Sequence, residues 1–101
     1  MNLRKNSKVW ELLVKDSNSP ADFIECAIRL RNLTGSEFAD KMGITRQHYS
    51  VMMHHLKIGD GIGANMCLRI ALVLDIDPYL VGRIVMEFKI RKLLENKTDT
   101  K

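Results

Sequence analysis

The residues of this 101-residue chain with the plainest capacity for chemistry are three histidines, His48, His54 and His55, and two cysteines, Cys26 and Cys67. Together they raise a metal site, and their spacing argues against one. His48 and His55 are two helical turns apart, about 10 Å along a helix axis, too far to chelate one ion unaided. The cysteines lack C-x-x-C spacing and sit inside apolar runs, which fits buried free thiols in a reducing compartment better than a disulfide. Asp40, Asp60, Asp75 and Asp77 fall at helix surfaces, turns or caps, where carboxylates serve structure. Neither Ser50 nor Cys67 has a base placed beside it by pattern. The loop Lys57-Ile58-Gly59-Asp60-Gly61-Ile62-Gly63 holds three glycines. No strand precedes it and no G-K-[ST] follows, so a flexible connection is expected rather than a nucleotide loop. The expectation is a chain that is not an enzyme and uses no metal or cofactor. What remains is a cluster of side chains that read planar edges. Arg46 can donate in a fork to a guanine edge or a phosphate, Gln47 can pair with adenine N6 and N7, and Val51 can touch a thymine methyl.

The elements that must position this cluster lie between Thr34 and Leu56, in the run TGSEFADKMGITRQHYSVMMHHL. Thr34 and Glu37 form a T-x-x-E capping box, a helix-start signal. Phe38, Ala39 and Met42 give one apolar face at helical spacing. Gly43 ends the run where a left-handed residue is needed. Thr45 caps the next helix, and Ile44 before it can staple onto Tyr49 one turn in. Tyr49, Met52 and Leu56 continue the buried face, which leaves Arg46, Gln47 and Ser50 pointing away from it. Periodicity alone would fit any helical hairpin; two capping signals and Gly43 at this spacing are what favour a helix-turn-helix.

FADKMGIT, with Tyr49 and Met52 following, resembles the helix-turn-helix of the lambda-repressor-like phage regulators, and LRIALVLDIDP is similar to that family's next helix and turn. The resemblance spans roughly residues 21–81. It implies an all-α, lambda-repressor-like domain of five or six helices that binds double-stranded DNA sequence-specifically as a small phage or mobile-element transcriptional regulator. The second motif helix, residues 46–56, would enter the major groove, with Arg46 and Gln47 in the two leading recognition positions. The DNA-facing set is then Thr45, Arg46, Gln47, His48, Ser50, Val51, His54 and Lys57. His54 and His55 would approach phosphate at the helix end, and the glycine loop would lie near the DNA backbone. Two positions depart from the family pattern. Tyr49 stands where Val or Ile is usual, and Gly35 where a phosphate-contacting glutamine is often found.

The rest of the chain frames this unit. The length suits one domain. Hydrophobic content of 46% argues against disorder, and a net charge of +4 is compatible with nucleic acid without establishing it. No apolar run approaches the ~18 residues of a membrane span, and the N-terminus lacks a signal-peptide core, so a cytoplasmic protein is expected. Residues 1–8 read as frayed. Val9, Trp10, Leu13 and Val14 share a helical face, although KVWELLVK is short enough to be a strand. Ser19-Pro20-Ala21-Asp22 starts a helix expected to reach about Asn32, burying Phe23, Ile24, Ala27, Ile28 and Leu30, with Arg29 and Arg31 toward the surface. Ala64 to Leu74 is a further helix, inward through Met66, Cys67, Ile70, Ala71 and Leu74, with Asp75 in the left-handed position after it. The last helix, expected over 78–95, has two apolar sides: Leu80, Val81, Ile84, Val85 and Phe88 on one, Met86, Ile90, Leu93 and Leu94 nearly opposite. One domain cannot easily bury both. The expected organisation is a single domain over 1–95, with an N-terminal extension (1–19), a C-terminal dimerisation helix (78–95) and a flexible tail (96–101). The second stripe can pack on the Trp10 segment of its own chain or form a symmetric homodimer that reads a palindromic operator. The alternatives are an antitoxin, whose extra apolar surface holds a toxin, and a helical interaction module that does not bind DNA.

Overall fold

The computed structural model describes residues 7–99, and every element in that span is a helix. These are α1 (Ser7–Asp16), α2 (Pro20–Leu30), α3 (Gly35–Met42), α4 (Arg46–Ile58), α5 (Ala64–Leu74) and α6 (Pro78–Asp99). Residues 1–6 of the expected frayed start and 100–101 of the expected tail lie outside the described residues.

Of the two readings of KVWELLVK, the helix is correct. Its stripe places Trp10 in the core, 1% exposed, edge-on to Phe23 of α2 at 6.0 Å. Ser19 caps α2 by accepting from the Asp22 amide at 3.3 Å, with Pro20 at the first helical position, where no amide partner is needed. Helices α2, α3, α4, α5 and α6 then pack on one another around Phe23, Ile24, Phe38, Leu56, Ile70, Leu74 and Val81.

Successive helices are stopped by one device. After α2, α3, α4 and α5 the chain passes through a left-handed residue, Asn32, Gly43, Gly59 and Asp75 respectively. The amide one residue later reaches back six positions to an otherwise orphaned carbonyl: Leu33 to Ile28, Ile44 to Ala39, Asp60 to His55, and Ile76 to Ala71. In three of the four that following residue is apolar and turns onto the core. This accounts for one correction. Leu30, expected in the buried face of α2, is 47% exposed, because α2 stops at Leu30 and Leu33 takes the inward place after the reversal.

Arg31 is a second correction. Rather than facing solvent, it donates from Nε to the Leu74 carbonyl (2.7 Å) and from Nη2 to the Asp75 carbonyl (3.0 Å), with the Asp75 carboxylate 3.8 Å away. Its guanidinium also lies 5.8 Å from the Trp10 ring. The last carbonyls of α5 lack intrahelical donors, and the end of α2 supplies them.

Helix α6 buries Leu80, Val81, Ile84, Val85 and Phe88 as expected, and runs past the expected end at Glu95 to Asp99. Trp10 points into the core, so the opposite stripe of α6 stays exposed in the chain: Met86 57%, Ile90 48%, Leu93 59% and Leu94 60%.

Candidate functional site

The candidate site is the outward side of α4, and α3 is what orients it. The capping box of α3 is complete: the Glu37 amide donates to Thr34 Oγ1 at 3.1 Å, and the Thr34 amide donates to Glu37 Oε1 at 2.9 Å. Those two bonds to Thr34, backbone first, hold the Glu37 carboxyl below its ordinary range. Gly43 takes φ 73° and ψ 30°, and α4 begins three residues on. Thr45 caps it, its Oγ1 accepting from the His48 amide at 3.0 Å.

The inner side of α4 is fixed by Met52, Met53 and Leu56, all buried, and by half-buried Tyr49, whose ring meets Phe38 of α3 edge-on at 5.9 Å. Met53 belongs to this inner side although the pattern Tyr49, Met52, Leu56 had not included it; its position one turn after Tyr49 was the available signal. Burial, and secondarily the negative charge of Glu25, push the Tyr49 phenol up.

Tyr49 also explains the two departures from the resembling family together. A Cβ placed on Gly35 would sit 3.3 Å from Tyr49 Cε2 and 3.4 Å from its hydroxyl. The large ring occupies the space over the first residue of α3, and glycine there leaves room for it. The departures are one substitution of volume, moved from one helix to the next.

With that side buried, helical geometry turns the others outward. Thr45, Arg46, Gln47, His48, Ser50, Val51, His54 and Lys57 are all exposed. Gln47, Ser50, Val51 and His54 form the centre of the face. Arg46 and Lys57 mark one edge, about 16 Å apart along the axis. His48 and His55 mark the other, and there line a cleft of about 460 Å³ with Val51, Asp60, Gly63 and Met66. His55 is not the free phosphate-facing group the sequence suggested: its Nδ1 is 3.2 Å from Asp60 Oδ2, and the ring is partly covered.

The glycine loop is more constrained than a flexible connection. Gly59, at φ 89°, is buried against α6, where a Cβ would lie 2.5 Å from Lys92 Cγ and 3.5 Å from Phe88 Cδ2. The loop delivers the start of α5 to the His48 side of the cleft. That start is capped by no side chain, and the first turns of α4 and α5 both lack acids. Two positive helix-dipole ends therefore border the face without a neutralising carboxylate in either first turn.

Among the described residues no group of three His, Cys, Asp or Glu is gathered so as to hold a metal ion, and no helix is long and apolar enough to cross a membrane. Cys67 is buried, which raises its thiol pKa, and Cys26 is a free thiol receiving a 3.5 Å contact from Arg29 Nη2. No family model matches the chain, and no curated protein or solved structure matches it.

Proposed function

We propose that this chain is a sequence-specific double-stranded DNA-binding regulator of transcription, of lambda-repressor-like helix-turn-helix type, acting in the cytoplasm without catalysis of its own. The observation that carries the reading is the division of α4. One side is locked to α3 and the core through Tyr49, Met52, Met53 and Leu56, and the other presents Arg46, Gln47, Ser50 and Val51 to solvent together. A face that only needed solubility would have no use for this rigid backing. A face that reads base edges needs it, because bidentate contacts fail when the donor plane wanders.

In the proposed mechanism the N-terminal half of α4 enters the major groove. Arg46 and Gln47 address base edges, Ser50 accepts or donates, and Val51 packs on a thymine methyl. Thr45, His54 and Lys57, with the amides at the uncapped start of α5, contact phosphate and set the depth of insertion. His48 lies at the groove wall. Asp60 would face the backbone unfavourably, and its contact with His55 holds that carboxylate against the protein.

The test is selection of bound sequences from a random duplex pool, followed by affinity against salt. Enrichment of one motif and a steep fall in affinity as salt rises are expected, since contacts to phosphate release counterions. No enrichment, or a flat salt response, would sink the proposal.

A further inference from the structure

Two features of α6 lack a counterpart within the chain. The first is an arm. Up to Phe88 one side of α6 is buried; beyond it that side carries Arg91, Lys92 and Glu95, and the helix runs on about another 16 Å to Asp99. On this arm the apolar stripe lies on the side turned away from the chain's own core, with Ile90, Leu93 and Leu94 exposed. The second is a groove of about 300 Å³ between α5 and α6, lined by Cys67, Leu68, Pro78, Tyr79, Gly82 and Met86. It is open because Gly82 has no side chain: a Cβ there would meet nothing within 4 Å. Tyr79 at its mouth is 87% exposed and Leu68 45%.

We propose that arm and groove are the two halves of one interface, in which two copies of the chain pair through antiparallel α6 helices about a two-fold axis at Met86. Such an axis sets Met86 on Met86. It sets Ile90 over Gly82 of the second copy, and Leu93 over the second copy's Tyr79, beside Leu68. The seam Tyr79, Gly82, Met86, Ile90, Leu93 advances by alternating steps of three and four residues, the spacing of a helix-to-helix contact. A two-fold contact must be self-complementary, and here one chain carries both the projecting side chains and the space that receives them, so pairing fills each twice. An unrelated partner would account for the stripe alone; a second copy accounts for stripe and groove together.

The rim agrees. In an antiparallel pair each flank meets its own equivalent, so Arg83 and Glu87 are brought to Glu87 and Arg83 of the other copy, enlarging a surface network that already joins Arg83 to Glu11 (3.1 Å) and to Glu87 (3.6 Å). The exposed apolar side chains of the band amount to several hundred Å² per copy, on the scale of the ~800 Å² per partner of a standard interface. The pairing does not rest on DNA binding. Where the proposed function also holds, it sets two α4 helices about one axis, and the bound site is a palindrome.

The test uses the full chain without DNA, so its outcome is separate from any DNA result. Sedimentation equilibrium at tens of micromolar should give twice the 11.6 kDa chain mass. Gly82→Leu fills the groove where the single chain has open space, so the helical spectrum should persist while the dimer dissociation constant rises about tenfold or more. Leu93→Glu should act likewise. Met86→Cys should form an interchain disulfide under mild oxidation, and Leu30→Cys, exposed on α2, should not. A monomer at that concentration, whether or not another protein captures it, overturns the proposal. So does a dimer that survives both Gly82→Leu and Leu93→Glu, or one in which Met86→Cys fails to cross-link.

Discussion

Arg31→Met should destabilise the fold by about 3 kcal/mol, although the residue looks in sequence like one more surface cation. The structure gives the parts of that figure. Two hydrogen bonds from a charged donor end on the carbonyls of Leu74 and Asp75, at 2.7 and 3.0 Å. Each is worth about 1.5–3 kcal/mol where water cannot replace it. The Arg31 side chain is 22% exposed, so water restores part of that, and the lower end of the range applies. The guanidinium over Trp10 adds roughly 0.5–1 kcal/mol, while the 3.8 Å approach to the half-exposed Asp75 carboxylate adds little. Methionine keeps an apolar stem against Trp10 and removes the donors, so the loss reads the carbonyl capping. Urea denaturation at one fixed protein concentration should show it, with a fall in melting temperature of roughly 12–20 °C. Arg31→Lys, with the charge but no fork, should fall between. If Arg31→Met lies within about 0.5 kcal/mol of the parent, the surface range, the assignment of Arg31 as the C-terminal cap of α5 is wrong.

Gln47→Ala should leave stability nearly unchanged, cost about 1–3 kcal/mol at the selected operator and hardly alter binding to random duplex, whereas Lys57→Ala should weaken both alike. Parallel titrations at one salt concentration decide this; equal losses for Gln47→Ala on both duplexes would remove it as a base reader. Glu37, whose folded pKa is lowered from 4.5, contributes stability that is present above its unfolded pKa and is lost as pH falls through the depressed folded value. Glu37→Gln should therefore flatten the acid limb of the stability curve below about pH 5, seen in denaturation midpoints from pH 7 to 3. Gly43→Ala should cost only the left-handed penalty of ~1–2 kcal/mol, since a Cβ there meets open space, but Gly59→Ala should cost more, because its Cβ would fall 2.5 Å from Lys92 Cγ. Equal losses in urea would show that α6 yields freely at Lys92. With a thiol reagent at pH 8, half-buried Cys26 should react well before Cys67, whose burial raises its thiol pKa.

What could be read from the chain alone was local. The T-x-x-E box at Thr34, the cap at Thr45, Gly43 and the Ser19-Pro20 start each act within five residues, and all appear in the structure as expected. The two-sided α6 was legible for the same reason, since helical period fixes which residues share a face before any partner is known. The failures share one physical cause, a contact whose second half lies elsewhere. Arg31 and Leu74 are 43 residues apart, and nothing in the pattern around Arg31 shows that α5 will end without donors beside it. Gly35 and Tyr49 each look like a defect when compared singly with a family pattern; only the packed structure shows ring and missing side chain sharing one volume. The end of α2 failed differently. Asn32 serves as the left-handed stop that glycine provides at Gly43, and asparagine in a polar turn is a weak sign of it, so Leu30 was placed inside when Leu33 takes that role.

These cases bear on where function should be sought in α4. Side chains fixed by local signals were placed correctly from sequence: Arg46, Gln47, Ser50 and Val51 follow from the cap at Thr45 and the period of the buried side, and all are exposed. Side chains near the C-terminal end of the helix depend on what the glycine loop brings back, and there the reading changed, with His55 drawn to Asp60 and Gly59 pressed on α6. The N-terminal half of α4 is therefore set by the helix itself, and the C-terminal half by α6. Since α6 also carries the proposed two-fold interface, a change of pairing would reach DNA through the Gly59–Lys92 contact at that C-terminal end, altering phosphate contacts at His54 and Lys57 before base contacts at Arg46 and Gln47. Disrupting the interface with Leu93→Glu should then lower affinity for operator and random duplex while the order of preference among single half-sites stays the same. Competition binding against a panel of half-site variants measures this, and a reordered preference would mean that α6 helps to place the N-terminal half as well.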